Sequence, residues 1–195
     1  MQIKLEQISS LAKLRILDNA ITPRPIAWIV SVSEEGVVNL APFSFFAPVS
    51  SEPIVFSICF YSKSNGDPKD SLRNILQSKR ATICICEGIH LGAMHKSARE
   101  LDANISEAAL LGIPMQAVIE GYPPIVQGVR LAFMCDFYDL LEIGKFSKTL
   151  LLEAKELFCA EELQRENFEF GLENIGQVGR EYALSYQLIP ARNVK

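Results

Sequence analysis

The chain lacks the features that mark several protein classes. Its 195 residues carry 19 lysines and arginines against 23 acidic residues, so there is none of the basic excess typical of nucleic-acid-binding proteins. The first ten residues have no apolar run, and we expect no secretory signal peptide. Residues 36–62 have a single charge, Glu52, but prolines interrupt them too often for a membrane-spanning helix. We therefore expect a cytoplasmic protein without nucleic-acid or membrane partners.

Cysteine and histidine are too sparse to predict a disulfide framework or a metal site. There are five cysteines, an odd number, and all but one lie in apolar, strand-like runs, which predicts reduced and mostly buried thiols. Cys84 and Cys86 share one side of a predicted strand, but no second cysteine or histidine pair has zinc spacing. The two histidines, His90 and His95, are five positions apart and do not share a helix face. We predict no metal ligands.

Common catalytic fingerprints are also missing. The sequence has no Gly-x-x-x-x-Gly-Lys phosphate loop, no Gly-x-Gly-x-x-Gly run and no Gly-x-Ser-x-Gly nucleophile elbow. No side chain is assigned a catalytic role on this basis.

The hydrophobic pattern predicts one α+β, mainly β, domain over residues 1–195. Apolar and β-branched runs predict strands at 26–33, 37–41, 53–61, 81–86, 129–143, 149–159 and 182–188, and an irregular loop between 41 and 53. Helical spacing predicts helices at 9–19, 91–98 and 106–111, with further helix within 161–171, and another that is capped by Asp70 or Ser71 and runs through about Ser78. A small antiparallel barrel would hide the edges of such a sheet.

Residues 39–46, Asn-Leu-Ala-Pro-Phe-Ser-Phe-Phe, place aromatic side chains beside small polar ones. A segment of this kind can present backbone amides and a hydroxyl to a flat ligand. A buried, kinked strand end explains the same residues, and composition alone favours that alternative.

Residues 66–74 run from a polar loop into a predicted helix N-terminus with Lys69, Ser71 and Arg73. Free amides and the helix dipole favour an anion there. A capped surface helix with solvated charges is the alternative. Taken together, the two segments suggest a flat aromatic group carrying a phosphate, as in a mononucleotide-like cofactor.

Several runs in a fixed order carry a more specific signal. They are Pro-Arg-Pro-Ile-Ala-Trp-Ile-Val-Ser at 23–31, the run at 39–46, Val-Ser-Ser-Glu-Pro at 49–53 and Lys-Asp-Ser-Leu-Arg-Asn-Ile at 69–75. In order and spacing they resemble the flavin reductase-like family of FMN-binding split-barrel proteins. A looser match follows at residues 176–183.

The resemblance implies an antiparallel, Greek-key type split β-barrel with short peripheral helices, a homodimer, and FMN near the subunit interface. Carried over by position, it implies that the FMN ring and ribityl chain contact Trp28, Ser31, Ser33, Asn39, Ala41, Pro42, Phe43, Ser44 and Ser57. It also implies that Lys69 and Ser71 bind the phosphate, that Asp70 caps the helix and that Asn74 lies close to the site.

Three functions are open at this point. The chain is an NAD(P)H-dependent flavin reductase or related FMN oxidoreductase, a flavoredoxin-like FMN carrier served by a redox partner protein, or a non-catalytic split barrel for another flavin, haem or a deazaflavin. NADH or NADPH would be the co-substrate in the first case. We expect the reductase or oxidoreductase. Some relatives that use NADH carry a Gly-x-His element near the C-terminal end, and none occurs here after His95, which motivates the carrier as the alternative.

Overall fold

The computed structural model describes residues 2–164 and 168–184. The strands are β1 (Arg24–Pro25), β2 (Ala27–Val32), β3 (Val38–Phe43), β4 (Phe46–Ser51), β5 (Ile54–Tyr61), β6 (Arg80–Ile85), β7 (Met115–Gln116), β8 (Ile125–Val126), β9 (Leu131–Gly144), β10 (Ser147–Cys159), β11 (Gly176–Val178) and β12 (Glu181–Ala183). The α-helices are α1 (Ser10–Ala20), α2 (Asp70–Ser78), α3 (Leu91–Lys96) and α4 (Glu107–Leu110), and short 3-10 turns lie at Leu5–Gln7, Gly88–His90 and Glu161–Leu163.

The main sheet has seven strands in the order β3-β2-β6-β9-β10-β5-β4, and every neighbouring pair is antiparallel. Strands β1, β11 and β12 form a small second sheet, and β7 pairs with β8. The mainly-β fold class predicted from the pattern is confirmed.

Both faces of the central strands are buried. In β2, Trp28 and Val30 pack into one apolar cluster, whereas Ala27 and Ile29 pack into another on the opposite face. The second cluster also takes in side chains of α2, β5 and β10. Burial on two faces explains why the strand reads as a continuous apolar run rather than an alternating one.

The sheet curls so that strands far apart in its order come together. The Phe43 ring of β3 lies 4.5 Å from the Phe60 ring of β5, centroid to centroid. Because β3 is one edge strand of the sheet and β5 pairs with the other edge strand, β4, this contact brings the two edges towards each other, as a barrel requires.

Two sequence predictions about strands are wrong in part. The segment predicted as an irregular loop contains β4, which pairs with β5 and places Pro48 opposite Phe56. Proline is tolerated there because β4 is an edge strand with only one neighbour. The predicted buried face of β9 does not extend to Ile143, which is 80% exposed, because β6 pairs with β9 only as far as Asp136.

The cysteine prediction is confirmed for the buried thiols. All five cysteines are free, and Cys84, Cys86 and Cys135 are buried. Burial raises the pKa of Cys84 to about 12, so this thiol stays protonated and unreactive. Within the described residues there is no cluster of three or more metal-ligating side chains, and no helix long and apolar enough to cross a membrane. The predicted last strand is seen as β12, and its continuation at 185–188 lies outside the described residues.

Candidate functional site

A polar cleft of about 70 Å³ lies where β3 meets the N-terminus of α2. It joins the two segments that the sequence analysis singled out, although they are separated along the chain. The predicted site residues that line it are Asn39, Ala41, Pro42, Phe43, Lys69, Asp70 and Ser71. The remaining lining residues are Lys63, Ala98, Arg99, Glu100 and Glu107.

A buried hydrogen bond links the two sides of the cleft. The Asn39 side-chain amide donates to the Ser71 hydroxyl oxygen at 2.7 Å, and the two residues are only 7% and 1% exposed. Among the described residues, no acceptor for the hydroxyl's own proton lies within hydrogen-bonding distance. The hydroxyl is therefore oriented by Asn39 and can donate to a ligand in the cleft.

The N-terminus of α2 opens onto the cleft without a side-chain cap. Its N-cap residue is Lys69, and no side chain accepts a hydrogen bond from the first turn. The expectation that Asp70 caps the helix is wrong, because Asp70 is the first helical residue and its carboxylate pairs with Lys63 at 2.5 Å and Arg73 at 2.7 Å. First-turn amides without acceptors, together with the helix dipole, favour an anion.

Both lysines that line the cleft are held in ion pairs, Lys63 with Asp70 and Lys69 with Glu100. The Lys69 ammonium lies 2.5 Å from the Glu100 carboxylate, and this contact lowers the pKa of Glu100. Glu107, only 5% exposed, accepts the Leu40 backbone N–H at 3.0 Å. Burial raises the pKa of Glu107, since desolvation penalises its charged form. The cleft can thus offer an anion lysine ammonium groups, a hydroxyl and helix amides.

A larger, mainly apolar pocket of about 510 Å³ lies nearby, with Ser44 in its wall directly after Phe43 of the cleft. Its volume is in the range of cofactor sites. The predicted residue Ser57 lines it too, and its hydroxyl donates to the Ala47 carbonyl at 3.3 Å. The other lining residues are Leu17, Ile21, Pro23, Arg24, Pro25, Phe45, Phe46, Ala47, Pro48, Cys59 and Thr149.

Arg24 brings one charge to this apolar pocket. Its guanidinium pairs with Asp18 at 3.1 Å, lies 5.2 Å from the centroid of the Phe45 ring and donates to the Ser44 hydroxyl at 3.4 Å. With Arg24 only 6% exposed, the guanidinium is fixed in direction. A flat ring in the pocket would meet a cation held in place before it binds.

Four predicted residues line neither cavity. Trp28 has a structural role instead: its side chain is fully buried in the core and donates to the Ser97 hydroxyl at 2.9 Å. Ser31 accepts from the Asn74 amide at 3.4 Å, which ties β2 to α2, and the Asn74 Oδ1 has no partner among the described residues. The Ser33 hydroxyl donates to Glu35 in the turn after β2.

Sequence reasoning missed several residues that line the cavities. Arg24 lies within the motif at 23–31, so that motif could have identified it as a residue of the site. Lys63 lies in the polar loop before α2. Arg99, Glu100 and Glu107 are distant along the chain and reach the cleft only through the path of the loop after α3, for which the sequence has no local signal.

A third cavity, a groove of about 770 Å³, lies at the C-terminal end of α2 and contains none of the predicted residues. Its cations contact groups of the groove: Lys79 lies 4.3 Å from the Phe137 ring centroid, and Arg80 donates to the Gly121 carbonyl and lies over the Tyr122 ring. We place the candidate site at the cleft and the apolar pocket because predicted residues line both of them.

Comparison with known proteins gives a family match and several similar structures. Residues 20–165 match the family model described as the flavin reductase like domain. The structure is similar to nitrilotriacetate monooxygenase component B from Bacillus cereus, with a TM-score of 0.91 and 25% identity, covering 97% of this chain and 98% of that one. It shares its fold with a split-barrel protein of Shewanella frigidimarina NCIMB 400 described as a flavin reductase, with a TM-score of 0.84, 14% identity and coverage of 97% and 98%. It also shares its fold with the flavoredoxin of Desulfovibrio vulgaris (Miyazaki F), with a TM-score of 0.74, 15% identity and coverage of 99% and 98%.

Proposed function

The chain belongs to the flavin reductase-like family and is a flavin-related oxidoreductase; from this premise we propose that its flavin is FMN, that the FMN phosphate binds in the polar cleft, and that NADH or NADPH reduces it. The observation that carries the proposal is that two consecutive residues line the two cavities, Phe43 the cleft and Ser44 the apolar pocket. One cavity suits a phosphate and the other suits a flat ring.

The residues present fit a phosphorylated flavin. The Ser71 hydroxyl, Lys69 and the uncapped α2 amides supply donors for a phosphate, and charge-assisted hydrogen bonds of this kind are the strong ones. Phe45, Phe46 and Pro48 supply apolar surface for the ring. When bound, FMN supplies the capacity to accept a hydride or electrons and pass them on.

The protein's own residues would position the ring and set the field around it. Arg24 is held by Asp18 and by the Phe45 face, so its positive charge stays at the pocket whether or not a ligand is present. A preorganised cation favours any negative charge that develops beside it. Apolar walls exclude water and strengthen this effect.

We also propose a homodimer. Helix α1 has no buried residue and exposes Leu11, Ile16 and Leu17, of which Leu17 also lines the apolar pocket. On the β9–β10 pair, Ile143 and Phe146 are exposed. Exposed apolar groups of this size support an interface with a second copy. Light scattering after size-exclusion chromatography tests the stoichiometry.

The free cysteines support the proposed reducing, cytoplasmic compartment.

The first experiment is a flavin titration of the purified protein, followed by anaerobic addition of NADH and NADPH. We expect FMN to bind more tightly than riboflavin, because only FMN reaches both cavities. We expect the flavin spectrum to bleach, and multiple-turnover NAD(P)H oxidation to exceed the rate with free FMN. Failure to bind any flavin would overturn the proposed site, and equal affinity for FMN and riboflavin would overturn the placement of the phosphate.

The second candidate is an FMN electron carrier. The fold shared with flavoredoxin and the missing Gly-x-His element favour it. Its signature is different: bound FMN would resist NADH and NADPH but would be reduced stoichiometrically by a partner reductase. Multiple-turnover NAD(P)H oxidation would rule it out.

A further inference from the structure

We propose that Glu100 is a built-in competitor for the phosphate of the ligand: its carboxylate occupies Lys69 in the ligand-free protein, and a phosphate monoester must displace it to bind. The proposal rests on the proposed function, since it concerns the same cleft. It adds a residue that sets how tightly, and for how long, the flavin is held.

Both carboxylate oxygens of Glu100 have polar partners. Lys69 Nζ lies 2.5 Å from Glu100 Oε1, and the Ser64 hydroxyl donates to Glu100 Oε2 at 3.0 Å. Glu100 follows α3, whereas Ser64 and Lys69 lie before α2. The carboxylate therefore connects two loops that are more than thirty residues apart, and both Glu100 and Lys69 line the cleft.

The lining of the cleft, whose volume is about 70 Å³, carries no surplus of cations over carboxyl groups. Its lining cations are Lys63, Lys69 and Arg99, and its lining carboxyls are Asp70, Glu100 and Glu107. Lys63 is paired with Asp70, the first residue of α2, whereas the partner of Lys69 is Glu100, which lies outside that helix. Glu100 can therefore leave Lys69 without removing a partner from the acid at the helix terminus.

The partners of Glu100 can release it at small cost. The Lys69 and Glu100 side chains are 28% and 38% exposed, and ion pairs at such positions contribute little to stability. Within the described part of the chain, the neighbouring Arg99 makes no ion pair although it lines the cleft. A phosphate would gain Lys69 and have Arg99 within the same cavity, while Glu100 turns to solvent.

The exchange gives the cleft selectivity for the charge of its ligand. A phosphate monoester carries nearly two charges at neutral pH and attracts Lys69 more strongly than a single carboxylate does. A singly charged or neutral ligand does not. The competition also weakens net binding, because every binding event first breaks a contact. A weakly held flavin can leave after each reduction.

The test compares Glu100→Gln with wild type for FMN and for riboflavin, using quenching of flavin fluorescence and stopped-flow dissociation. Glu142→Gln is the matched control: it removes one charge from another Lys–Glu pair, Lys148 to Glu142 at 2.5 Å, on the β9–β10 pair. Ser64→Ala is a second variant that keeps the charge and loosens the carboxylate.

We expect Glu100→Gln to bind FMN about three- to tenfold more tightly and to release it correspondingly more slowly. The substitution removes a weak surface ion pair that must break on binding, and it removes the repulsion between the carboxylate and the phosphate. Riboflavin affinity and the Glu142→Gln control should match wild type, and Ser64→Ala should fall between wild type and Glu100→Gln. If wild type binds FMN and Glu100→Gln binds it with the same or a lower affinity, this inference is overturned and the proposed function stands. Absence of FMN binding to wild type would overturn the proposed function and this inference together. Equal tightening of FMN and riboflavin would show that Glu100 acts on the pocket rather than on the phosphate.

Discussion

The hydroxyl of Ser71 accepts the Asn39 amide in this structure, and the proposed site gives it a second role as a donor to the phosphate; Ser71→Ala tests both. In the free protein the substitution leaves the Asn39 amide without its buried acceptor. A buried donor without a partner costs about 1–3 kcal/mol, so we expect the free energy of unfolding to fall by about that amount. In the complex the substitution removes one hydroxyl donor to the phosphate. Hydrogen bonds to charged groups contribute about 1.5–3 kcal/mol, which corresponds to about a 10- to 150-fold loss of FMN affinity.

Three measurements separate the two roles. Urea unfolding gives the stability, and fluorescence titrations give the affinities for FMN and for riboflavin, which lacks the phosphate. Ser71→Thr is the control, since it keeps the hydroxyl, and it should restore both properties. If Ser71→Ala lowers stability but leaves FMN affinity unchanged, the hydroxyl is only a structural link between β3 and α2. If FMN and riboflavin weaken equally, the effect comes from distortion of the site, and the assignment of Ser71 to the phosphate is refuted.

Three further substitutions test other parts of the argument. Lys69→Met should weaken FMN binding by about tenfold or more while changing the free energy of unfolding by less than about 1 kcal/mol, because its partner Glu100 is exposed; titration and urea unfolding check this, and unchanged FMN affinity would contradict it. Trp28→Phe should lower stability by about 2 kcal/mol through lost packing and the lost indole donor, with FMN affinity intact; weaker FMN binding at full stability would return Trp28 to the site. In the third substitution, Glu87→Gln, the Arg130 guanidinium loses its carboxylate partner. This guanidinium lowers the pKa of Glu87 in the folded protein. The stabilisation by the ionised carboxylate is therefore fully present above the ordinary pKa of glutamate and is lost as pH falls through the lowered pKa. We expect a loss of about 2–4 kcal/mol near pH 7 that shrinks below about pH 4, measured by urea unfolding across pH; a loss independent of pH would contradict the ion-pair explanation.

Local sequence was sufficient for the parts of the fold whose causes are local. Helix α1 begins after Ser9, whose hydroxyl accepts the Ala12 amide, as its capping residue type predicts. Helix α2 was predicted from its apolar spacing to end at about Ser78, where the structure ends it, although its N-cap residue, Lys69, precedes the predicted capping position at Asp70 or Ser71. Strand β4 was missed because its proline, Pro48, is compatible with a strand only at a sheet edge, and a position in the sheet order is not a local property.

The site shows the same division. Asn39, Lys69 and Ser71 were identified from ordered motifs, and the structure places them around one cleft. Trp28 belongs to an equally recognisable motif but supports the core, since a motif does not reveal which face of a doubly buried strand a side chain occupies.

The sequence by itself determined the family, the mainly-β class and the two segments suited to a ring and a phosphate, because composition, periodicity and ordered motifs are encoded along the chain. Only the tertiary structure decided that these segments meet, that Arg24 is fixed at the apolar pocket and that Glu100 occupies Lys69. Those contacts depend on how the sheet curls and on where the loop after α3 returns. Long-range packing sets both, and no short stretch of sequence records it.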